Sequence, residues 1–470
     1  MKIVVCIRQG LDGEINPFDA CAYEAALCVN GAEVILLSMG PMSAEPFLKG
    51  LTRLGADRAI LLSDKAFAGS DTLATAYALS LAIKKLSPDL VFCGRQTLVG
   101  DTGQVGPMTA SMLSYSLISN VMSIDEISDM ITCTTRKSGM QTVSLPALLT
   151  IERINTLRFP SLFSKMGTVE VWSVANIGAD IEKCGLAGSP TRVIATYENS
   201  SGKRKCKYIT LDELPAVLAE AKKRSSKKIV ISESGKKFKK VFSVGEDPLD
   251  YAKTVSDDIT VIEKTSAEEI ATLIEREKPS AVLFASCEWS KETAAKVAAK
   301  LSLGLCADCT ALAAEEGEMI MFRPALSGSI IAKIKSLTKP AMATVRTTSD
   351  SEDMVVAIGY GAKDSVEAAK KFASSLGATL VTTRKMVDNN LMPYDMQVGL
   401  TGKTISPDIY VAVGVSGAVH HIVGMQRAGT VIAINSDKNA PIFEYADYGV
   451  IADADEVLSF DIGKTPEAVG

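Results

Sequence analysis

One ordered run of landmarks occurs twice in this chain, and that repetition limits the fold more than any single motif does. In the first run an apolar opening, KIVV at Lys2, is followed by a helix that Ser70 or Asp71 caps. Its apolar residues recur at Leu73, Tyr77 and Leu81, and Lys84 and Lys85 suit its C-terminal end. Pro88 stops this helix, and LVFC (90–93) enters a strand. In the second run KIVI opens at Lys228, and Thr265 with Glu268 forms a capping box ahead of Ile270, Leu273 and Ile274. Pro279 then ends the helix and AVLFA (281–285) is the strand. The segments that follow also correspond, VGPMTASMLSYSLISNVMSI in one run and AAKVAAKLSLGLCADCTAL in the other. Each leads later to a strand that starts Pro-Ala, at Pro146 and at Pro340. Shared α/β grammar accounts for part of this match. Four landmarks in one order point to two copies of a domain, expected to pack about a pseudo-two-fold axis.

A hydrophilic joint separates the copies. NSSGKRKCK (199–207) is polar and basic, an amphipathic helix follows near 211–223, and KKRSSKK (222–228) leads into the second copy. TTSDSED (347–353) is another polar break, beyond which MVVAIG (354–359), ATLVTT (378–383), IYVAVGV (409–415) and TVIAIN (430–435) read as strands with helices between them. The predicted fold class is therefore α/β, with two related Rossmann-like nucleotide-binding domains and a C-terminal parallel-sheet domain. The expected boundaries are 1–224, 225–347 and 348–470, which suits 470 residues, too many for one core.

Composition removes several classes. A formal net charge of -5 and the lack of a long basic stripe give no reason to expect nucleic acid. The N-terminal apolar run is too short for a signal sequence, and no stretch of about 18 apolar residues occurs, so a cytoplasmic protein that does not span a membrane is expected. The ten cysteines read as reduced thiols. Cys306 and Cys309 form a lone Cys-x-x-Cys, and zinc would need a second pair.

Chemistry-bearing residues concentrate in the third domain. Its strand IYVAVGV runs into Gly414-Val415-Ser416-Gly417, a small-residue turn whose free N–H groups suit a phosphate. The two histidines of the whole chain, His420 and His421, follow directly. The loop QVGLTGKTISP (397–407) places Gly399 and Gly402 around Thr401. Arg384 follows a strand at the edge where α/β ligands bind, and Asn435 and Asp453 end two further apolar stretches.

Two long segments, MPYDMQVGLTGKTISPDIYVAVGVSGAVHHIVGM and VIAINSDKNAPIFEYADYGVIAD, are similar to the FAD-binding domain of electron-transfer flavoprotein α subunits. GLCADCTAL and FRPALSGSIIA (322–332) resemble that subunit's N-terminal domain. INPFDACAYEAAL, CGRQTLVGDTGQVGP (93–107) and GLAGSPTRV (185–193) resemble the β subunit. Nearly the whole chain is covered, in the order β then α, as a fusion.

The resemblance implies an FAD-mediated electron carrier rather than an enzyme with its own substrate. Thr401 would offer its hydroxyl near flavin N5, His421 would meet the pyrimidine edge near the C2 carbonyl, and Arg384 would place positive charge over the ring. Thr383, Gln397, Val398, Gly399 and Leu400 would wrap the flavin with Thr401, as would Ser416, Gly417, Ala418, Val419, His420 and His421. Asn435, Asp453 and Ala454 would lie towards the adenosine. A donor or cation at the C2 oxygen favours negative charge there, and one charge-assisted hydrogen bond from His421 would be worth roughly 1.5–3 kcal/mol. Three residues depart from the family pattern: Leu400 and His420 stand where Gln is common, and Tyr360 replaces an Arg.

In the β-like half, Gly100, Asp101, Thr102, Gly103, Gln104 and Val105 would hold a second nucleotide, their glycines permitting close approach of backbone to phosphate. Conventional members hold AMP here. The DTGQVGP form looks more like members that bind a second FAD and bifurcate the electrons of NADH, so FAD is preferred and AMP stays open. RFPSLFSK (158–165) matches the loop by which the family docks an acyl-CoA dehydrogenase, with Leu162 as anchor and a further flavoprotein or quinone reductase as downstream acceptor. The usual lysine-rich stretch is missing, and Gln141 replaces an acidic residue. The rival of another class is an adenine-nucleotide-binding α/β enzyme or regulatory protein.

Overall fold

The computed structural model describes residues 1–10, 12–97, 99–136, 138–152, 156–198, 203–225, 238–315, 317–326, 330–346, 353–399, 403, 405, 407–426 and 428–460. The first copy contains β1 (Lys2–Cys6), α1 (Pro17–Leu27), β2 (Glu33–Met39), α2 (Glu45–Thr52), β3 (Arg58–Leu62), α3 (Thr72–Leu86), β4 (Leu90–Gly94) and α4 (Val105–Leu113). A meander follows, β5 (Ser116–Ile127), β6 (Met130–Thr135), β7 (Gly139–Ser144) and β8 (Ala147–Ile151), then β9 (Val169–Trp172), α5 (Val174–Ile177) and β10 (Thr191–Glu198). The joint supplies β11 (Lys207–Tyr208) and α6 (Leu214–Ser225).

The second copy contains β12 (Val241–Val244), α7 (Leu249–Val255), β13 (Ile259–Ile262), α8 (Ala267–Glu277), β14 (Ala281–Ala285), α9 (Glu288–Leu301), β15 (Leu305–Cys309), β16 (Ala311–Glu315), β17 (Glu318–Ala325), β18 (Ile330–Ser336) and β19 (Ala341–Val345). The last stretch contains β20 (Met354–Ile358), α10 (Val366–Leu376), β21 (Thr379–Thr382), α11 (Arg384–Asp388), β22 (Ile409–Val413), α12 (Val419–Met425), β23 (Thr430–Ile434), β24 (Tyr448–Val450) and α13 (Ala454–Leu458).

The chain forms two compact units. The first holds both copies, residues 1–197 and 233–346 apart from 327–329. Its nine-stranded sheet has the order β7-β6-β5-β8-β4-β1-β2-β3-β9, and its five-stranded sheet the order β13-β12-β14-β19-β15. The two orders correspond strand for strand: β12, β13, β14, β19 and β15 occupy the places of β1, β2, β4, β8 and β5. Both central strands are mainly apolar and buried, KIVVC with Ile3, Val4 and Val5 inside and VFSV inside along its length, as parallel strands covered on both faces are. The role of β1 falls to VFSV at Val241–Val244, and the KIVI run at 228–231 lies outside the described residues. Matching details recur: left-handed C-cap residues Ser87 and Lys278, another pair at Ser114 and Ser302, and cis bonds before Pro146 and Pro340.

The equivalent helices α4 and α9 pack on each other, the isologous contact that a two-fold relation requires. Met108 of α4 joins the core of the second copy, and Ser119 Oγ donates to Glu292 Oε2 at 2.7 Å. Asp71 caps α3 through Leu73 N and Ala74 N at 3.0 and 3.1 Å. The box expected at Thr265 is displaced by one residue: Ser266 is the N-cap and accepts from Glu269 N at 3.2 Å, while Thr265 donates to the Glu269 carboxylate. A four-stranded sheet, β10-β18-β17-β16, completes this unit.

The second unit is one parallel sheet of order β11-β24-β23-β22-β20-β21. Residues 198–224 differ from the expected boundary, which places them with the first copy. β11 pairs with β24, Leu214 and Leu218 of α6 are buried in the core of this sheet, and Arg204 donates to Gly429 O at 2.9 Å. Among the described residues, no helix is long and apolar enough to cross a membrane.

Candidate functional site

Each copy of the first unit, and the second unit, has a topological switch point, where chain order reverses and the strand ends part to leave a crevice. In the first copy it lies between β1 and β4. A cavity of about 1080 Å³ opens there, lined by the residues after both strands, among them Arg8 and Arg95. Asp19 ties the two strand ends to α1: its carboxylate accepts from Arg8 N at 2.8 Å and also from the Gly94 N–H. Burial pushes the Asp19 carboxyl up to about 7 against those hydrogen bonds. Gly94 leaves room for it, since an added Cβ would fall 2.3 Å from Asp19 Oδ1.

The loop 99–104 closes one side. Gly100, Thr102, Gly103, Gln104 and Val105 line the cavity, whereas Asp101 does not. Asp101 and Gly103 have φ of 50° and 64°, which turns the loop back on itself. The carbonyls of Gly100 and Asp101 accept from the Arg323 guanidinium at 2.9 and 3.0 Å. The Asp101 carboxyl is pushed up by burial and by nearby Asp308, while Lys291 and Arg346 overcome burial at Asp308 and hold it below the usual range.

Six buried side-chain atoms have no hydrogen-bond partner among the described residues, and three of them, Arg95 Nε, Gln104 Nε2 and Arg323 Nε, are N–H donors on residues lining this cavity. Arg95 Nε is 3.2 Å from Glu152 Oε1, an ion pair without hydrogen-bond alignment. Gln104 Oε1 is occupied by Thr72 Oγ1 at 3.1 Å, so only the amide N–H₂ is free to turn to a ligand. Buried donors without acceptors fit an anionic, acceptor-rich ligand such as a nucleotide. Cys306 also lines the cavity, and Cys309 Sγ lies 3.8 Å from Cys306 O. Among the described residues no group of three or more His, Cys, Asp and Glu could hold a metal ion.

In the second unit the switch point lies between β20 and β22. Gly359 and Gly361 pack directly on Gly414, where a Cβ on Gly359 would fall 2.2 Å from Gly414 O. Gly417, at φ 87°, packs on Ile442. The N–H groups of Ser416, Gly417 and Ala418 have no acceptor among the described residues. Asn435 supports this turn by donating to Val415 O at 2.9 Å. Opposite, Val398 N bonds Thr382 O at 2.9 Å, which lays Gln397, Val398 and Gly399 beside the end of β21. Thr383 follows β21, and its buried hydroxyl is a further side-chain group without a partner. Free N–H groups, an orphaned hydroxyl and close-packed glycines fit a ligand rich in acceptors.

Several expected residues take other roles. Arg384 Nε is turned to Asp388 Oδ2 at 3.0 Å on an exposed face. Asp453 caps α13, with Ala454 as its first residue, two strands away from β22. Val419 is exposed. Leu400 and Thr401 lie outside the described residues, as does the side chain of His420. Tyr360 carries Lys385 Nζ at 4.1 Å from its ring centroid, so a cation stays near the position of the replaced arginine.

His421 departs most from expectation. It is only 5% exposed, with Nδ1 3.1 Å from Val398 O and Nε2 2.8 Å from Tyr410 Oη. Burial lowers it to about 4, against the opposing effect of Val398, so the imidazole is neutral at pH 7. Both nitrogens are engaged within the protein, and no N–H is left over for a ligand carbonyl.

Leu162 stands 94% exposed on a loop with Phe159 and Phe163, each 93% exposed. The loop is anchored at both ends. Arg158 Nη2 meets Glu24 Oε1 at 2.7 Å, and Gly167 N meets Thr52 Oγ1 at 2.8 Å. Three exposed apolar side chains therefore sit on a loop tethered at both ends.

Arg323, Arg95 and Tyr410 were not anticipated from sequence. All three stood inside quoted segments, CGRQTLVGDTGQVGP, FRPALSGSIIA and IYVAVGV, but nothing local ties Arg323 to a loop about 220 residues earlier.

A family described as the electron transfer flavoprotein domain matches residues 3–176 and 258–374, and the electron transfer flavoprotein FAD-binding domain matches residues 350–426. The chain is similar to Protein FixA of Azorhizobium caulinodans, 40% identical over 245 residues that cover 47% of this chain and 87% of the relative. It is similar also to the electron transfer flavoprotein subunit beta of Thermoanaerobacterium thermosaccharolyticum, 40% identical over 202 residues, 40% of this chain and 78% of that protein. The subunit beta of Clostridium acetobutylicum is 40% identical over 200 residues, 40% of this chain and 76% of that protein.

Proposed function

This chain belongs to the electron transfer flavoprotein family, with β-like and α-like parts in one polypeptide, and from that premise we propose that it carries electrons on two flavins. One FAD would lie in the second unit, between the 397–399 loop and the turn 414–418. A second nucleotide, FAD in preference to AMP, would lie in the cavity of the first unit. Bound FAD supplies one- and two-electron redox chemistry, and the chain supplies binding and electrostatics.

The observation that carries the second-nucleotide reading is the cavity between β1 and β4 with its three unpartnered N–H donors. Its volume of about 1080 Å³ is at the top of the usual range for small-molecule pockets, about 300–1,000 Å³, and suits a dinucleotide better than a mononucleotide. Arg323 and Gln104 would meet phosphates, and Arg323 already occupies the carbonyls of Gly100 and Asp101.

In the second unit Thr383 and the N–H groups of Ser416, Gly417 and Ala418 would hold FAD, and Arg384, once turned from Asp388, and Thr401 would tune it. Leu162 would anchor an acyl-CoA dehydrogenase-type flavoprotein, from which electrons pass through the flavin to a downstream acceptor. With a second FAD present, NADH becomes a candidate donor for bifurcation.

Nucleotide content tests this reading. The purified protein is denatured, and FAD and AMP per chain are quantified by chromatography, before and after incubation with FAD. Two FAD and no AMP are expected. One FAD with one AMP would make the protein a conventional carrier, and no flavin even after incubation would favour the adenine-nucleotide-binding rival.

A further inference from the structure

Val398 O can only accept, so the His421 nitrogen that faces it at 3.1 Å must carry the hydrogen. The imidazole is buried and bears no second proton at neutral pH, which leaves Nε2 bare. Among the described residues the polar atom at Nε2 is the Tyr410 hydroxyl, 2.8 Å away, and it must donate. Burial keeps that phenol protonated, far above its ordinary range. No charged side chain contributes to the shift at His421 among the described residues. We propose that Tyr410 is a positioning residue that fixes His421 as the neutral Nδ1–H tautomer, so that His421 braces the 397–399 loop instead of offering a proton to a ligand.

The brace joins three elements. Tyr410 lies in the middle of the sheet on β22, His421 on α12, and Val398 on the loop beside β21. One turn further along α12, Gly424 meets the same loop, where an added Cβ would fall 2.3 Å from Gly399 N. The loop is thus held at two successive turns of one helix. The tautomer rests on these contacts alone and does not depend on the FAD reading proposed above.

The whole chain has two histidines, so [15N]histidine labelling of the full-length protein gives two imidazoles, and His420→Gln assigns them. The spectra are recorded on protein as purified and after saturation with FAD. The expected result is His421 with a protonated Nδ1 and a bare, hydrogen-bonded Nε2, unchanged between pH 5 and 8 in both samples. In Tyr410→Phe the Nε2 resonance should move to the position of an unbonded nitrogen while Nδ1 stays protonated. A protonated Nε2 with bare Nδ1 in the FAD-saturated protein, a titration between pH 5 and 8, or an unmoved Nε2 in Tyr410→Phe would each overturn the proposal. If Tyr410→Phe does not fold, a through-hydrogen-bond correlation from a phenolic proton to Nε2 in the wild type decides instead, its presence supporting the brace and its absence refuting it. Failure to bind FAD leaves these signals readable and counts against the cofactor reading alone.

Discussion

Replacing Gln104 by leucine should make the nucleotide-free protein no less stable while weakening nucleotide binding at least tenfold. Gln104 is almost fully buried, and its Nε2 has no partner among the described residues. An unsatisfied buried amide costs about 1–3 kcal/mol, which leucine removes. The substitution also removes the hydrogen bond from Thr72 Oγ1 at 3.1 Å, worth about 1 kcal/mol. The sum ranges from nearly neutral to a gain of about 2 kcal/mol for the empty protein. With nucleotide bound the sign reverses, because the amide then donates to a phosphate oxygen. A hydrogen bond to a charged group is worth about 1.5–3 kcal/mol, a loss of roughly 10- to 150-fold in affinity. The assay strips nucleotide by mild denaturation, refolds, and measures urea midpoints of the empty protein alongside calorimetric titration with FAD and with AMP. Unchanged affinity for both ligands would refute the reasoning, since it would mean that Nε2 does not face the ligand.

Further outcomes follow from the same geometry. Gly417→Ala should cost about 2–4 kcal/mol and empty the second unit of flavin, because the added Cβ meets Ile442 N at 2.1 Å at a φ of 87°; absorbance at the flavin band and a thermal melt read both effects. Leu162→Ala should leave the melting curve unchanged, since the side chain is exposed, but slow electron transfer from an acyl-CoA dehydrogenase by about 30-fold, the effect of losing one interface hot spot. A histidine at about 4 when folded and near 6.5 when unfolded gives the unfolded chain the extra proton between those values. Stability of the second unit should therefore be complete above pH 6.5 and fall by about 3 kcal/mol as pH drops to 4, and His421→Asn should flatten that slope in urea melts.

Much of this architecture is legible in the residue pattern, because helix caps, proline stops and short apolar strands are local. Asp71 before α3 and the Pro-Ala openings of β8 and β19 are read directly. The shift from Thr265 to Ser266 as N-cap shows the limit: adjacent hydroxyls have equal propensity, and only the carbonyl positions of the first turn choose between them. What long-range contact decides is not legible. Arg323 reaches the 99–104 loop across 220 residues, and Tyr410 looks like any aromatic residue in a buried strand until His421 is placed beside it. β11 has two residues, too few for any periodicity, and so the joint reads as a solvated linker although it completes a sheet.

That short strand has a consequence for how the protein is made. β11 pairs with β24, Lys207 opposite Tyr448, about 240 positions later in the chain. The C-terminal unit therefore cannot be finished by its own contiguous stretch. A ribosome must release the whole second copy before the edge partner of Tyr448 has anything to pair with, and until then the apolar face of α6 waits uncovered. Expressed alone, residues 348–470 would lack one sheet edge and its covering helix.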